Sequence, residues 1–91
     1  MFNKLKQIKN LRDQAKKMQS ALSTETVIVE RGGIKIEMNG NLEVISVKIN
    51  SDLAPNSIEG ILADLINEAI KKTQKIMAKK MQEMGGIPGL S

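Results

Sequence analysis

The residues that could carry chemistry in this chain are basic, and they lie near its two ends. Residues 1–22 hold six Lys or Arg against one Asp, which gives +5, and residues 71–91 hold five Lys against one Glu, which gives +4. Residues 23–70 hold three Lys or Arg against eight Asp or Glu, which gives −5. Concentrated positive charge attracts polyanions through its long-range field and through counterion release. The charge pattern therefore predicts two cationic arms on an anionic body.

The composition offers little to an enzyme. His, Cys, Trp and Tyr are absent, and Phe2 is the one aromatic residue. Without His and Cys the chain lacks the usual thiol nucleophile, the proton shuttle that works near neutral pH, and the soft metal ligands. We therefore expect no catalytic site, no metal and no cofactor. The lack of cysteine also excludes a secreted fold held together by disulfides.

The length of 91 residues predicts one domain. No stretch approaches the roughly 18 apolar residues of a membrane span, and the N-terminus lacks the apolar core of a signal peptide. We expect a cytoplasmic chain with a single domain over residues 1–84 and a flexible Gly/Pro tail over residues 85–91.

The first element that must position the basic residues is a helix. Apolar residues recur at spacings of three or four from residue 2 to about residue 22, and no Gly or Pro interrupts them. This pattern predicts an amphipathic helix. A soluble helix usually mixes charge signs on its wet face. Here a separate arc carries five basic residues, which we take as candidate contacts to a polyanion: Lys6, Lys9, Arg12, Lys16 and Lys17.

The middle of the chain has the pattern of a sheet. Strand-like period and β-branched residues are found in segments 26–30, 34–39 and 42–49. Gly32-Gly33 predicts the first turn, and Asn39-Gly40 predicts a tight hairpin whose two central residues have positive φ. Alternation slips in the third segment, so we expect either a β-bulge near residues 44–46 or cover on both faces. Together these segments predict a three-stranded antiparallel meander.

A second, longer helix follows the sheet. Asn56 with Glu59 resembles a capping box, and an apolar stripe then continues to Met84. About 28 helical residues span roughly 42 Å, whereas a six-residue strand covers about 20 Å, so half of the helix must project. Its outward surface carries further candidate contacts to a polyanion, of which Lys72 also forms a favourable i, i+4 pair with Glu68. These candidates are Lys71, Lys72, Lys75, Lys79 and Lys80.

The apolar residues of the projecting segment predict a homodimer. Methionines at helical spacing usually fill a core, and an exposed apolar stripe promotes aggregation. A three-stranded sheet covered on one face is also marginally stable alone. A symmetric dimer in which two chains share one core resolves both problems. Our candidates for this packing are Leu11, Met18, Ile36, Met38, Val47, Ile66, Ile70, Met77 and Met81.

A series of short motifs runs along essentially the whole chain. These are Met1-Phe2, residues 14–19 (Gln-Ala-Lys-Lys-Met-Gln), Gly32-Gly33 before Ile34-Lys35-Ile36, Asn39-Gly40-Asn41, residues 44–50 (Val-Ile-Ser-Val-Lys-Ile-Asn), residues 64–69 (Asp-Leu-Ile-Asn-Glu-Ala) and the Gly85–Gly89 tail. In their order and spacing, which carry the specificity, these motifs resemble the YbaB/EbfC family of bacterial nucleoid-associated proteins.

The resemblance implies an α+β fold with an α-β-β-β-α protomer, two long terminal helices and a tweezer-like homodimer. It also implies a cytoplasmic, nucleoid-associated protein that binds double-stranded DNA. Together with the charge pattern, this predicts binding through basic helical arms, mainly to phosphates and with low sequence specificity. A single aromatic residue argues against stacking of single-stranded bases.

Two alternatives stay open. A dimeric protein-interaction module would use its lysines for solubility alone. A basic amphipathic helix also suits an anionic membrane surface, although the aromatic anchors that usually help are missing.

Overall fold

The computed structural model of the chain describes the backbone of residues 2–84 and the side chains of residues 7–84. The elements follow the order α1 (Phe2–Ser23), β1 (Thr26–Arg31), β2 (Ile34–Asn39), β3 (Val44–Ile49) and α2 (Pro55–Glu83). The three strands form an antiparallel sheet in the order β1-β2-β3. This confirms the predicted α-β-β-β-α meander; the predicted tail, residues 85–91, lies outside the described residues.

Two glycines build the tight turn between β1 and β2. Gly32 has φ of 59° and Gly33 has φ of 90°, while Arg31 and Ile34 on either side are paired across the ladder. A two-residue hairpin with positive φ at both positions favours glycine, because glycine has no Cβ to clash in that conformation. The two-residue turn of this sheet is therefore formed by Gly32-Gly33.

The prediction of a tight hairpin at Asn39-Gly40 was wrong. Residues 40–43 connect β2 to β3, and the positive φ in that loop belongs to Leu42, at 65°. The side chain of Asn39 organises the longer loop, because its Oδ1 accepts hydrogen bonds from the backbone N–H groups of Asn41 at 2.9 Å and Glu43 at 3.1 Å. An Asn side chain that replaces backbone acceptors in this way stabilises loops of several lengths.

Gly40 serves a different purpose, which is close contact with the end of α1. Its backbone N–H donates to the carbonyl oxygen of Leu22 at 2.9 Å, and a Cβ at this position would lie 2.5 Å from that same oxygen. Asn41 Nδ2 donates to the carbonyl of Gln19 at 3.0 Å. The last carbonyls of a helix lack partners within the helix. Here the β2–β3 loop supplies donors to them and thereby joins α1 to the sheet.

A β-bulge in β3 restores the phase of the third strand, which is one of the two alternatives that the slipped alternation left open. Glu37 pairs with Ser46 but the next residue, Met38, pairs with Val44, so Ile45 is the extra residue. Val47 pairs with Ile36 and Ile49 with Ile34. Residues paired directly across two antiparallel strands share a face of the sheet. The bulge therefore places Val44, Val47 and Ile49 on the same face as the buried residues of β2.

The core lies between α2 and the first two strands. Leu65, Ala69 and Thr73 of α2 are fully buried at a spacing of four residues, which is one stripe of a helix. They cover alternating residues of the strands, namely Val27, Val29, Ile34, Ile36 and Met38.

The second helix is continuous, but its predicted capping box at Asn56 is absent. Ala54 is the N-cap and makes no side-chain cap hydrogen bond, while Pro55 occupies the first turn. Proline suits that position because its φ is preset and its missing N–H would have no helical partner. The 29 residues of α2 span about 44 Å. The 22 residues of α1 span about 33 Å, and a six-residue strand covers only about 20 Å, so both helices are longer than the sheet. The radius of gyration is accordingly 17.8 Å, against about 12 Å for a compact chain of this length.

The contrast between two glycines tests the α1 junction. Gly40→Ala introduces a methyl group against the carbonyl of Leu22, and we expect it to lower the free energy of unfolding by about 2 kcal/mol or more. Gly60 lies in α2 with nothing within 4 Å of the point that a Cβ would occupy, so Gly60→Ala should raise the same quantity by about 0.5–1 kcal/mol. Urea denaturation of both variants measures the effects, and equal changes would contradict the close contact at Gly40.

Candidate nucleic-acid interface

The two exposed flanks of α2 carry opposite chemistry. At about 100° per residue, Lys71, Lys75 and Lys79 lie on one side of the buried stripe, and their side chains are exposed. On the other side, from residue 63 onward, an arc of about 60° carries apolar residues only: Ala63, Ile66, Ile70, Met77, Met81 and Met84. A half-buried helix thus presents a cationic flank and an apolar flank in different directions.

The cationic flank borders an open groove of about 560 Å³. Four of its lining side chains are cationic and two are anionic, so the groove is positive on balance. Its walls are formed by Arg31, Asp64, Asn67, Glu68, Lys71, Lys72 and Lys75. Such a groove suits an anionic ligand that approaches along the helix.

Arg31 joins this flank, although its position in a turn gave no reason to include it among the candidates. Its Nη1 lies 3.6 Å from Asp64 Oδ2, and its Nη2 lies 3.4 Å from Glu68 Oε2. Glu68 Oε1 also lies 3.2 Å from Lys72 Nζ, which confirms the predicted i, i+4 pair. The sequence signal for Arg31 is weak because 37 residues separate it from Glu68.

Lys80 differs from the other lysines of α2. Its Nζ lies 3.2 Å from Glu25 Oε1 and 3.8 Å from Glu83 Oε2, and its side chain is only 27% exposed. Glu25 stands between α1 and β1, so the ion pair connects the far part of α2 to the α1 junction. This amine is occupied by carboxylates of its own chain and, among the predicted contacts whose side chains are described, is the least available to a polyanion.

The basic residues of α1 are arranged differently. Lys9, Arg12, Lys16 and Lys17 are all exposed, and within the side chains described, residues 7–84, none of them belongs to an ion pair. The side chain of Lys6 lies outside that range. The described basic residues of α1 are therefore free to meet an external anion.

The apolar candidates fall into three environments. Ile36 and Met38 are in the core, whereas Met18, Ile70 and Met77 are half-buried. The other four are between 39% and 51% exposed, a large fraction for apolar side chains: Leu11, Val47, Ile66 and Met81.

Strand β3 adds residues that were not among the predicted packing positions. Val44 and Ile49 lie beside Val47 on the face of the sheet that α2 covers at β1 and β2. They are nevertheless 49% and 44% exposed. Ile45, in the bulge, is 57% exposed. We call the surface formed by Val44, Val47 and Ile49 of β3 with Ile66 of α2 the open shelf. In the sequence, the slipped alternation of β3 was the feature that pointed to this surface.

Other kinds of site lack support within the described residues. No group of three or more Asp or Glu there is arranged to hold a metal ion. None of the helices formed by those residues is both long and apolar enough to span a membrane.

Known proteins are similar to this chain over almost its whole length. The sequence model of the YbaB/EbfC DNA-binding family matches residues 1–87. A nucleoid-associated protein of Syntrophobacter fumaroxidans is 37% identical over 98% of this chain and 89% of its own length. Nucleoid-associated proteins of Alkaliphilus metalliredigens and Thermoanaerobacter pseudethanolicus are 34% and 31% identical, over 99% and 97% of this chain and 87% of each relative.

A double-mutant cycle tests whether Lys80 is structural. We expect Glu25→Gln and Lys80→Gln to share a coupling energy of about 0.5–1 kcal/mol, because both side chains are only partly exposed. The matched cycle with Lys79→Gln, one residue away and exposed, should give a coupling near zero. Denaturation at one protein concentration supplies all the values, and equal coupling in the two cycles would refute the structural role.

Proposed function

The chain belongs to the YbaB/EbfC DNA-binding family, and we propose that it binds duplex DNA as a homodimer through the basic flanks of α1 and α2. The contacts are mainly to phosphates and carry little sequence information. The names of its relatives support a position at the bacterial nucleoid in the cytoplasm, and we infer that residues 1–84 act as one DNA-binding domain. No catalytic step is involved.

One observation carries this proposal: an exposed row of lysines follows one flank of α2, away from the apolar flank. Lys71, Lys75 and Lys79 repeat every four residues, which is about 6 Å along a helix. Phosphates of one DNA strand follow the helix axis at about 3.4 Å spacing. A row of amines at this separation neutralises several phosphates along one stretch of duplex.

Low specificity follows from the kinds of side chain available. Direct readout in the major groove relies most often on arginine bonded to guanine, and Arg12 and Arg31 are the two arginines of the chain. Arg31 is engaged by two carboxylates. Lysine ammonium groups act on phosphates as point charges, which position the protein without reading bases.

The open shelf supports dimerisation. The chain exposes 6978 Å² for a mass of 10.0 kDa, whereas a compact monomer of that mass exposes about 5,240 Å². The projecting helices contribute to this excess of roughly 1,700 Å², which is larger than the about 800 Å² that each partner contributes to a standard interface. The apolar residues of the shelf, which are 39% to 49% exposed, are what place the interface there. The unpaired edge of β3 adds backbone donors and acceptors that a second chain satisfies. We therefore assign the second copy to this shelf.

The two surfaces serve different tasks without competing. The shelf lies on the apolar side of α2 and the lysine row on its other side, so pairing of two chains leaves both lysine rows exposed. Dimerisation doubles the number of phosphate contacts and raises the avidity for one duplex.

The salt dependence of binding tests the DNA proposal. On a random duplex, log K should fall linearly with log salt, by about 0.9 for each phosphate neutralised. Lys75→Glu with Lys79→Glu should weaken binding by about tenfold or more and flatten the slope. The matched control is Lys35→Glu with Lys48→Glu, a cross-strand pair away from α2, and it should bind within about threefold of the parent chain.

Electrophoretic shifts over a salt series give both quantities. Equal loss in the two variants would contradict the site. Salt-independent binding, or none, would favour the protein-interaction module, and binding to anionic vesicles in preference to DNA would favour a membrane surface.

The oligomeric state tests the shelf. Val47→Lys places a charge at its centre, and we expect analytical ultracentrifugation to show a shift from dimer to monomer by a factor of about 100 or more in dissociation constant. Ile28→Lys is the matched control, because Ile28 is a β-branched residue of β1 with a similar exposure of 51%. Dissociation caused by Ile28→Lys instead would move the interface to the opposite face of the sheet.

A further inference from the structure

We propose that Glu68, helped by Asp64, occupies Arg31 and Lys72 in place of a DNA phosphate, and so weakens the binding of DNA at the sheet end of the groove. The inference rests on the proposed function. It divides the cations of the groove into two classes: Lys71 and Lys75, which are open to a ligand, and Arg31 and Lys72, which a ligand must first release.

The geometry of Glu68 supports this role. Its two oxygens go to two different cations, Oε1 to Lys72 at 3.2 Å and Oε2 to Arg31 at 3.4 Å. Asp64 meets the other terminal nitrogen of Arg31 at 3.6 Å. A phosphate also presents two free oxygens, and guanidinium groups bind carboxylates and phosphates with the same fork. One carboxylate therefore fills the positions that a phosphate diester would take.

The cluster is also open enough for exchange. The side chains of Arg31 and Lys72 are each 54% exposed, and that of Asp64 is 68% exposed. Strong charge-assisted hydrogen bonds between nitrogen and oxygen are about 2.7–2.9 Å long, and all three contacts are longer. Exposed pairs of this kind are weak and screened by salt. A polyanion that arrives along the groove displaces them readily.

Lys71 and Lys75 show that the masking is local. Both line the same groove, and neither is in an ion pair with any side chain of residues 7–84. These two lysines engage phosphate without a competitor, while the carboxylates offset the attraction of their neighbours. The acids thus reduce the affinity of one stretch of α2 without changing its fold.

Glu68→Gln is the direct test, because it removes the charge and keeps the size. On a random duplex at low salt we expect binding to tighten about 3- to 10-fold, with a slope of log K against log salt steeper by about 1–2 per chain. The matched control is Glu59→Gln, the same charge change on α2 outside the groove, which should change affinity less than about twofold. Arg31→Gln added to Glu68→Gln should remove part of the gain.

The outcomes separate this inference from the proposed function. If Glu68→Gln only equals Glu59→Gln, or weakens binding, the masking role is wrong, and a parent chain that still responds to Lys75→Glu with Lys79→Glu keeps the proposed function. If the parent chain does not bind DNA, both fail. Asp64→Asn, which relieves Arg31 alone, should give a smaller gain and decides the question if circular dichroism shows that Glu68→Gln is misfolded.

Discussion

A single α-helix is about 10 Å wide, and neighbouring strands lie about 4.8 Å apart, so one helix covers two strands of a sheet. This sheet has three strands, and α2 packs on β1 and β2. The face of β3 next to it therefore stays open even though its residues are apolar. Val44, Val47 and Ile49 are apolar residues of the kind found in cores, yet their side chains are 44% to 49% exposed. The open face of β3 and the proposed pairing of chains both follow from this mismatch of widths.

The same limit gives α2 its two flanks. A helix buried along one stripe leaves both sides of that stripe exposed, and here one side holds lysines and the other holds isoleucine and methionine. Charges and apolar groups on separate sides are compatible with the proposed pairing of chains and the proposed DNA binding at the same time. The carboxylates of Asp64 and Glu68 sit on the cationic side, where they moderate the field of the lysines beside them.

The direction of α1 depends on a second contact, between the last turn of that helix and the β2–β3 loop. The carbonyl of Leu22 accepts from Gly40, and the carbonyl of Gln19 accepts from Asn41. The ion pair of Lys80 with Glu25 ties α2 to the same corner. Both helices therefore leave the sheet at one end with their directions set by short contacts, while most described side chains of α1 and of the last turns of α2 are exposed.

Much of the architecture was predictable, because it depends on residues close together in the chain. The switch from a period of three or four to a period of two marked both helices and all three strands. The slipped alternation of β3 left two alternatives, a bulge or cover on both faces, and the structure has the bulge. The pair Glu68–Lys72 was visible for the same reason, since one turn of helix brings the two side chains together. The order of the elements, the sidedness of each helix and the charge of the arms were likewise properties of the sequence alone.

Tertiary packing was needed to establish that Arg31 lies against Asp64 and Glu68, that Lys80 meets Glu25 and that β3 stays uncovered. The role of Gly40 in contact with the end of α1 belongs to the same group. These contacts join residues that are far apart in sequence, and their geometry depends on how the helices dock on the sheet. Local periodicity carries no information about that docking, because it records which face of an element is apolar and not what covers it.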